Sequence, residues 1–266
     1  MGKFSRLLKV GLKDPLELVD RIAIVLQGRT ELSEDFVRDD RTMRSEQVPQ
    51  DLEGIAERLG RHPWPSSLVA EWSELWSGLD YRAGHDADPA LVRMLWTACR
   101  TRRPDLVVET GVGRGLSTAV ILDALDKNGK GRLISIDLPP LAEPWFSASA
   151  ELVPDRLRSR WECRRGSVRR RLPRLVRQLA LAGERIDIHL ADSLHTAAHI
   201  DWEVGAIAPM LAPDGIVFVD DAATWAVHPS SWERAYFRHE DKAGLFALVG
   251  PGSSRPLKPR PLPSPA

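Results

Sequence analysis

A short apolar run that ends on an acid and is followed by glycines at alternate positions leaves a chain few ways to fold. Leu106-Val107-Val108-Glu109 is such a run, and Gly111, Gly113 and Gly115 follow before Leu116-Ser117-Thr118. The run reads as a buried strand. The glycines let the backbone turn tightly and let a ligand approach the main chain. The segment that begins near Ser117 and Thr118 reads as a helix, whose first unpaired N–H groups suit a carboxylate or phosphate. Strand, turn and helix together make a nucleotide-type cofactor corner.

The spacing bears on which cofactor. A dinucleotide fingerprint places its glycines at positions one, three and six, and the sixth position here is Leu116. A glycine at position five, with Glu109 two residues before the first glycine, instead resembles motif I of the class I S-adenosylmethionine-dependent methyltransferases. That resemblance implies cofactor contacts at Gly111, Gly113, Gly115, Ser117 and Thr118, with Glu109 near the methionyl amino group.

The chain beyond the turn alternates strand and helix. A helix through Ala119, Val120, Leu122 and Leu125 ends at Asn128-Gly129. Leu133–Asp137 is a second strand whose terminal Asp137 can accept both ribose hydroxyls. Trp161–Gly166 is a third, Ile186–Asp192 a fourth, and Ile216–Val219 a fifth that follows the turn Pro213-Asp214-Gly215 and ends in Asp220-Asp221. A helix from Thr196 to Leu211 joins the last two, and Gly244–Gly250 reads as a sixth strand after a helix through Trp232, Ala235, Tyr236 and Phe237. The expected fold class is α/β: a doubly wound, mostly parallel, seven-stranded-type (Rossmann-like) sheet with an N-terminal helical extension. The methyltransferase resemblance implies a closing β-hairpin, for which only Arg255–Lys258 remains as a second arm.

In such a sheet ligands sit at the carboxyl ends of the strands, where Glu109, Asp137, Asp192, Asp220 and Asp221 all fall. Three carboxylates at two strand ends need a compensating cation, so Asp192, Asp220 and Asp221 suggest an oxygen-ligand site for Mg2+ or a similar divalent ion. The layout resembles metal-dependent O-methyltransferases of the catechol and macrocin types. The His189-x-x-Asp192-x-x-His195 pattern and the Asp201-Trp202-Glu203 helix resemble the wider group that includes proteins named cephalosporin hydroxylases. The resemblance spans roughly residues 85–240. It implies methyl transfer from S-adenosylmethionine to a hydroxylated small-molecule acceptor of natural-product or sugar type, with His195 and Asp192 catalytic and Asp192 also touching cofactor. Ser167 stands where many methyltransferases carry an acid near the adenine amino group. His228 is a second candidate base. His195, His199 and Glu203 recur at one-turn spacing, which reads as an ordinary helix surface rather than a second metal face. His189 should point into the packing layers.

The rest of the chain bounds the function. Lys+Arg and Asp+Glu are both 37, so no net charge draws the protein to nucleic acid or a membrane. Ten arginines lie between Arg156 and Arg177, but Leu172, Leu175, Val176 and Leu179 among them describe the buried face of a solvated helix. Cys99 and Cys163 make no disulfide framework or zinc motif. No apolar run spans a bilayer and no signal peptide precedes a cleavage site, so a soluble, cytoplasmic protein is expected. Residues 1–50 read as a helical appendage and linker that can pack on the main domain or support a homodimer, 51–250 as the main domain with leading helices, and 251–266 as a disordered proline-rich tail. Asp88 and Pro89 start a helix before the organising strand, behind a loop with His85 and Asp86. Trp64, Trp72, Trp76 and Trp96 belong mainly to the core, with an acceptor-pocket wall as the sharper alternative. Rival readings are an NAD(P)-dependent oxidoreductase, a non-catalytic methyltransferase-fold binding protein and an RNA methyltransferase.

Overall fold

A computed structural model of the chain describes residues 7, 11–12, 14–31, 66–82, 86–87, 89–138, 141, 149–220, 233–239 and 242–248. Three helices come first: α1 (Pro15–Glu31), α2 (Ser66–Ser77) and α3 (Pro89–Arg102). Then strand and helix alternate through β1 (Leu106–Thr110), α4 (Leu116–Asn128), β2 (Arg132–Asp137), β3 (Trp161–Arg165), α5 (Val168–Ala182), β4 (Ile186–Ala191), α6 (Ala197–Ile207) and β5 (Leu211–Val219). A hairpin of β6 (Glu233–His239) and β7 (Lys242–Leu248) closes the sheet. The strand order is β3-β2-β1-β4-β5-β7-β6. The first five pair in parallel, and β7 joins β5 antiparallel.

The inner parallel strands β1, β2, β4 and β5 are covered on both faces, which explains their largely apolar runs, whereas the edge strand β3 is partly exposed. Val107, Leu133, Ile188, Leu190, Ile216 and Phe218 pack one way against α3 and α4. Val108, Ile134, Ile136, Val217 and Val219 pack the other way against Leu172, Leu175 and Leu179 of α5 and Ile200, Val204 and Ile207 of α6. α4 ends where Asn128-Gly129 predicts, with Gly129 at φ 70° capping it. Trp72 and Trp96 are core residues, and Trp72 stacks on Trp76 at 5.5 Å. Cys99 is buried in α3 and Cys163 is exposed on β3.

Three local expectations are corrected. The segment through Ala235, Tyr236 and Phe237 is strand, not helix, because its backbone pairs with β7 from Glu233↔Leu248 to His239↔Lys242. That pairing supplies the hairpin without any arm at Arg255–Lys258. The turn at Pro213–Gly215 is absorbed as an irregularity of β5: Ile186 pairs with Leu211, and Ile188 with Ile216. Trp64, His85, Asp88, Asp221, His228 and the 251–266 tail lie outside the described residues. No helix among the described residues is long and apolar enough to cross a membrane.

Candidate functional site

The turn after β1 is clamped from three sides. The Gly111 N–H donates to Ile136 O at 2.9 Å, and the Val112 N–H donates to Asp137 Oδ1 at 3.2 Å. Ala150 N–H donates to Gly113 O at 2.9 Å. Gly111 has φ 83°, and a Cβ there would lie 1.7 Å from the carbonyl oxygen of Asp192. Only glycine fits, because both the left-handed backbone and the contact with the end of β4 exclude a side chain. Gly113, at φ 51°, is exposed, and a Cβ there would meet nothing within 4 Å among the described residues. Gly115 faces Val153 Cγ2 at 2.8 Å from an added Cβ.

Glu109 does not face that space. It is fully buried toward α4, where it accepts hydrogen bonds from Ser117 Oγ (2.7 Å), Thr118 Oγ1 (2.8 Å) and Ser135 Oγ (2.6 Å). Burial pushes its carboxyl up to about 7, against the pull of those hydroxyls and with the help of the Asp137 charge. Glu109, Ser117 and Thr118 thus meet one another and pin α4 to β1, an arrangement in which all three act from beneath the turn. Asp137 ends β2 at the sheet edge, 8% exposed. Burial raises its carboxyl too, opposed by the Val112 N–H and by Arg165.

The carboxyl ends of β4 and β5 lie beside the turn. Asp192 N–H donates to Thr110 O at 2.9 Å, and Asp220 N–H to Ala191 O at 3.0 Å. His195 Nε2 stands 3.6 Å from Asp192 Oδ1, with both side chains partly exposed, so the structure brings this predicted pair together. Asp220 is buried at the end of β5. The third expected carboxylate, Asp221, lies outside the described residues, and among the described residues no three His, Cys, Asp or Glu side chains are grouped to hold a metal ion. Asp192 and Asp220 are hard oxygen donors at adjoining strand ends, of the kind Mg2+ takes.

The expected helix surface of His199 and Glu203 is corrected. Both are buried, and with His189 they face the sheet beneath β4. His189 Nε2 lies 2.8 Å from Glu203 Oε1, and His199 Nε2 lies 3.2 Å from Oε2. His189 points into the packing layers, as expected.

Two further linkages were invisible in the sequence pattern. Arg114, inside the glycine turn, is 3% exposed and binds Asp86 (2.8 Å), Asp80 (2.7 Å) and Glu151 (2.5 Å). It ties the cofactor corner to the segments before α3 and before β3. Ser167 caps α5 by accepting the Arg170 N–H, and its own N–H donates to Asp20 of α1 at 3.1 Å. Asp20 also accepts from Arg170 Nε at 2.7 Å, and Glu17 accepts from Arg165 and Arg21. Despite burial, those two guanidiniums bring Glu17 below the ordinary carboxylate value. The acids of α1 therefore sit against the end of β3 and the start of α5.

Residues 108–222 match a family model described as a methyltransferase domain. No curated protein matches the sequence at a significant level. Among solved structures, the chain is similar to the O-methyltransferase TomG from Streptomyces achromogenes, involved in tomaymycin synthesis and in complex with SAM. The identity is 15% and the TM-score 0.50, over 80% of this chain and 96% of that one. It is also similar to an O-methyltransferase from Bacillus cereus in complex with SAH, at 14% identity and TM-score 0.49, over 75% of this chain and 97% of that one. The likeness to TomG shows the fold: a Rossmann-like methyltransferase sheet, of the class that the glycine turn resembles.

Proposed function

Taking the methyltransferase domain of residues 108–222 as the premise, we propose that this chain transfers a methyl group from S-adenosylmethionine to a hydroxyl of a small molecule. One observation carries the reading. The glycine turn, the ribose-type acid Asp137 and the Asp192–His195 pair occupy one sheet edge, with Asp192 against Gly111. Cofactor and acceptor can therefore meet there.

The residues fit the cofactor. Gly113 leaves the space beside its Cα open, and the Asp137 carboxylate, which accepts the Val112 N–H, has lone pairs to accept a ribose hydroxyl as well. When bound, S-adenosylmethionine supplies an electrophilic methyl group on a sulfonium sulfur. With that group held at the glycine turn and Asp137, His195 would take the proton that an acceptor hydroxyl gives up. Asp192 stands beside that imidazole, its Oδ1 3.6 Å from His195 Nε2. Asp192, Asp220 and Asp221 are the residues that would hold a Mg2+ ion, whose chemistry there is to lower the pKa of an acceptor hydroxyl. Holding the reactants in line supplies much of the remaining acceleration.

Calorimetry tests the premise directly. S-adenosylhomocysteine and NAD+ are each titrated into wild type and Asp137→Ala, with and without Mg2+. Binding of the homocysteine product that weakens at least about tenfold in the variant supports the cofactor site. NAD+ binding alone would move the chain to the oxidoreductases, and binding of neither would move it to a non-catalytic scaffold. With the cofactor established, transfer to a panel of hydroxylated acceptors, and its loss in His195→Ala and on chelation, tests the base and the metal.

A further inference from the structure

Glu203 has no part in the chemistry above, yet it is among the most completely bound side chains in the protein. It is 1% exposed, between α6 and the sheet. Its Oε1 accepts from Thr110 Oγ1 at 2.5 Å and lies 2.8 Å from His189 Nε2. Its Oε2 accepts from Ser193 Oγ at 3.3 Å and lies 3.2 Å from His199 Nε2. Burial alone would raise this carboxyl, but the hydrogen bonds from His189 and His199 bring it well below its ordinary value of 4.5. An ionised carboxylate only accepts, so both imidazoles present an Nε2–H, and each Nδ1 is left buried and without a hydrogen-bond partner among the described residues.

The two hydroxyl donors have a telling place in the chain. Thr110 immediately precedes Gly111, and Ser193 immediately follows Asp192. The turn and the loop touch at this point, through Asp192 N–H on Thr110 O and through the close approach of Asp192 O to Gly111. Glu203 grips one side chain on each side of that contact. A dry carboxylate is costly unless its acceptors are filled, so the grip resists any separation of its donors.

Resting on the methyltransferase reading, we infer that Glu203 is a positioning residue: by holding Thr110 and Ser193 it sets the glycine turn and the Asp192–His195 loop at the separation the cofactor needs.

The test uses the full chain with Glu203→Gln, Thr110→Val and Ser193→Ala, and Val204→Ala as a packing control from the same helix. Amide hydrogen exchange without ligand should run at least about tenfold faster at residues 110–115 and 190–195 in Glu203→Gln, with β2 and α4 unchanged. Calorimetric affinity for S-adenosylhomocysteine should fall at least about tenfold in Glu203→Gln and less in each hydroxyl variant, while Val204→Ala stays within about twofold of wild type. Equal affinity in wild type and Glu203→Gln, or exchange that rises uniformly through the sheet, overturns the inference. Should Glu203→Gln not fold, the two hydroxyl variants carry the same comparison. A wild type that fails to bind S-adenosylhomocysteine removes the methyltransferase reading instead, and the exchange pattern then decides the role of Glu203 by itself.

Discussion

Glu109 holds its proton more tightly than an ordinary glutamate, and the fold's stability follows from that. Below the unfolded value of 4.5 both states bind the proton. As pH rises toward the folded value of about 7, the unfolded chain ionises first, and the contribution is lost. Stability should fall across that window by on the order of 3 kcal/mol. Glu109→Gln keeps the shape without titrating, so urea unfolding at stepped pH should show that limb flattened. Glu203 has the opposite sign: its contribution is present above 4.5 and lost in acid, so the acid limb should survive in Glu109→Gln. Gly111→Ala would set a methyl group 1.7 Å from a backbone oxygen, and we expect no measurable binding of S-adenosylhomocysteine even if the protein folds. The glycines were legible because their requirement is local. The partners of Glu109 were not, since Ser117 and Thr118 read equally well as ligand contacts until the packing layer is known.

Elements show the same division. The inner parallel strands could be read off the sequence because burial on both faces leaves a largely apolar run. β6 could not, since Ala235, Tyr236 and Phe237 suit helix or strand, and only pairing with β7 decides. Likewise His199 and Glu203 keep helical spacing whichever way α6 is rotated, and the sheet beneath fixes the rotation. The attachment of elements by buried ions is testable. Arg114→Met would strand Asp86, Asp80 and Glu151 around an uncharged side chain. The expected loss is roughly 3 kcal/mol in urea unfolding, dominated by the buried Asp86. Asp20→Asn should cost about 1–2 kcal/mol, because an amide meets Arg170 and the Ser167 N–H less well than a carboxylate.

At the scale of the molecule, one sheet edge collects the ligand-facing backbone while the hydrophobic layers lie on either side of it. A ligand held at that edge touches β1, β2 and β4 at once and should stabilise the whole domain. At a concentration about 100 times its Kd, S-adenosylhomocysteine should add roughly 2.7 kcal/mol, read as a raised melting midpoint that Asp137→Ala loses. α1 takes part in this unit across a long separation: Glu17 and Arg165 are 148 positions apart, and Asp20 and Arg170 are 150. During synthesis α1 is therefore made well before the residues that receive it. At ordinary synthesis speeds the helix waits on the order of 10–30 s for Arg165 and Arg170. Its apolar stripe of Leu16, Val19 and Ile22 stays exposed even when the helix is in place, so the nascent chain offers chaperones a binding segment while α1 waits.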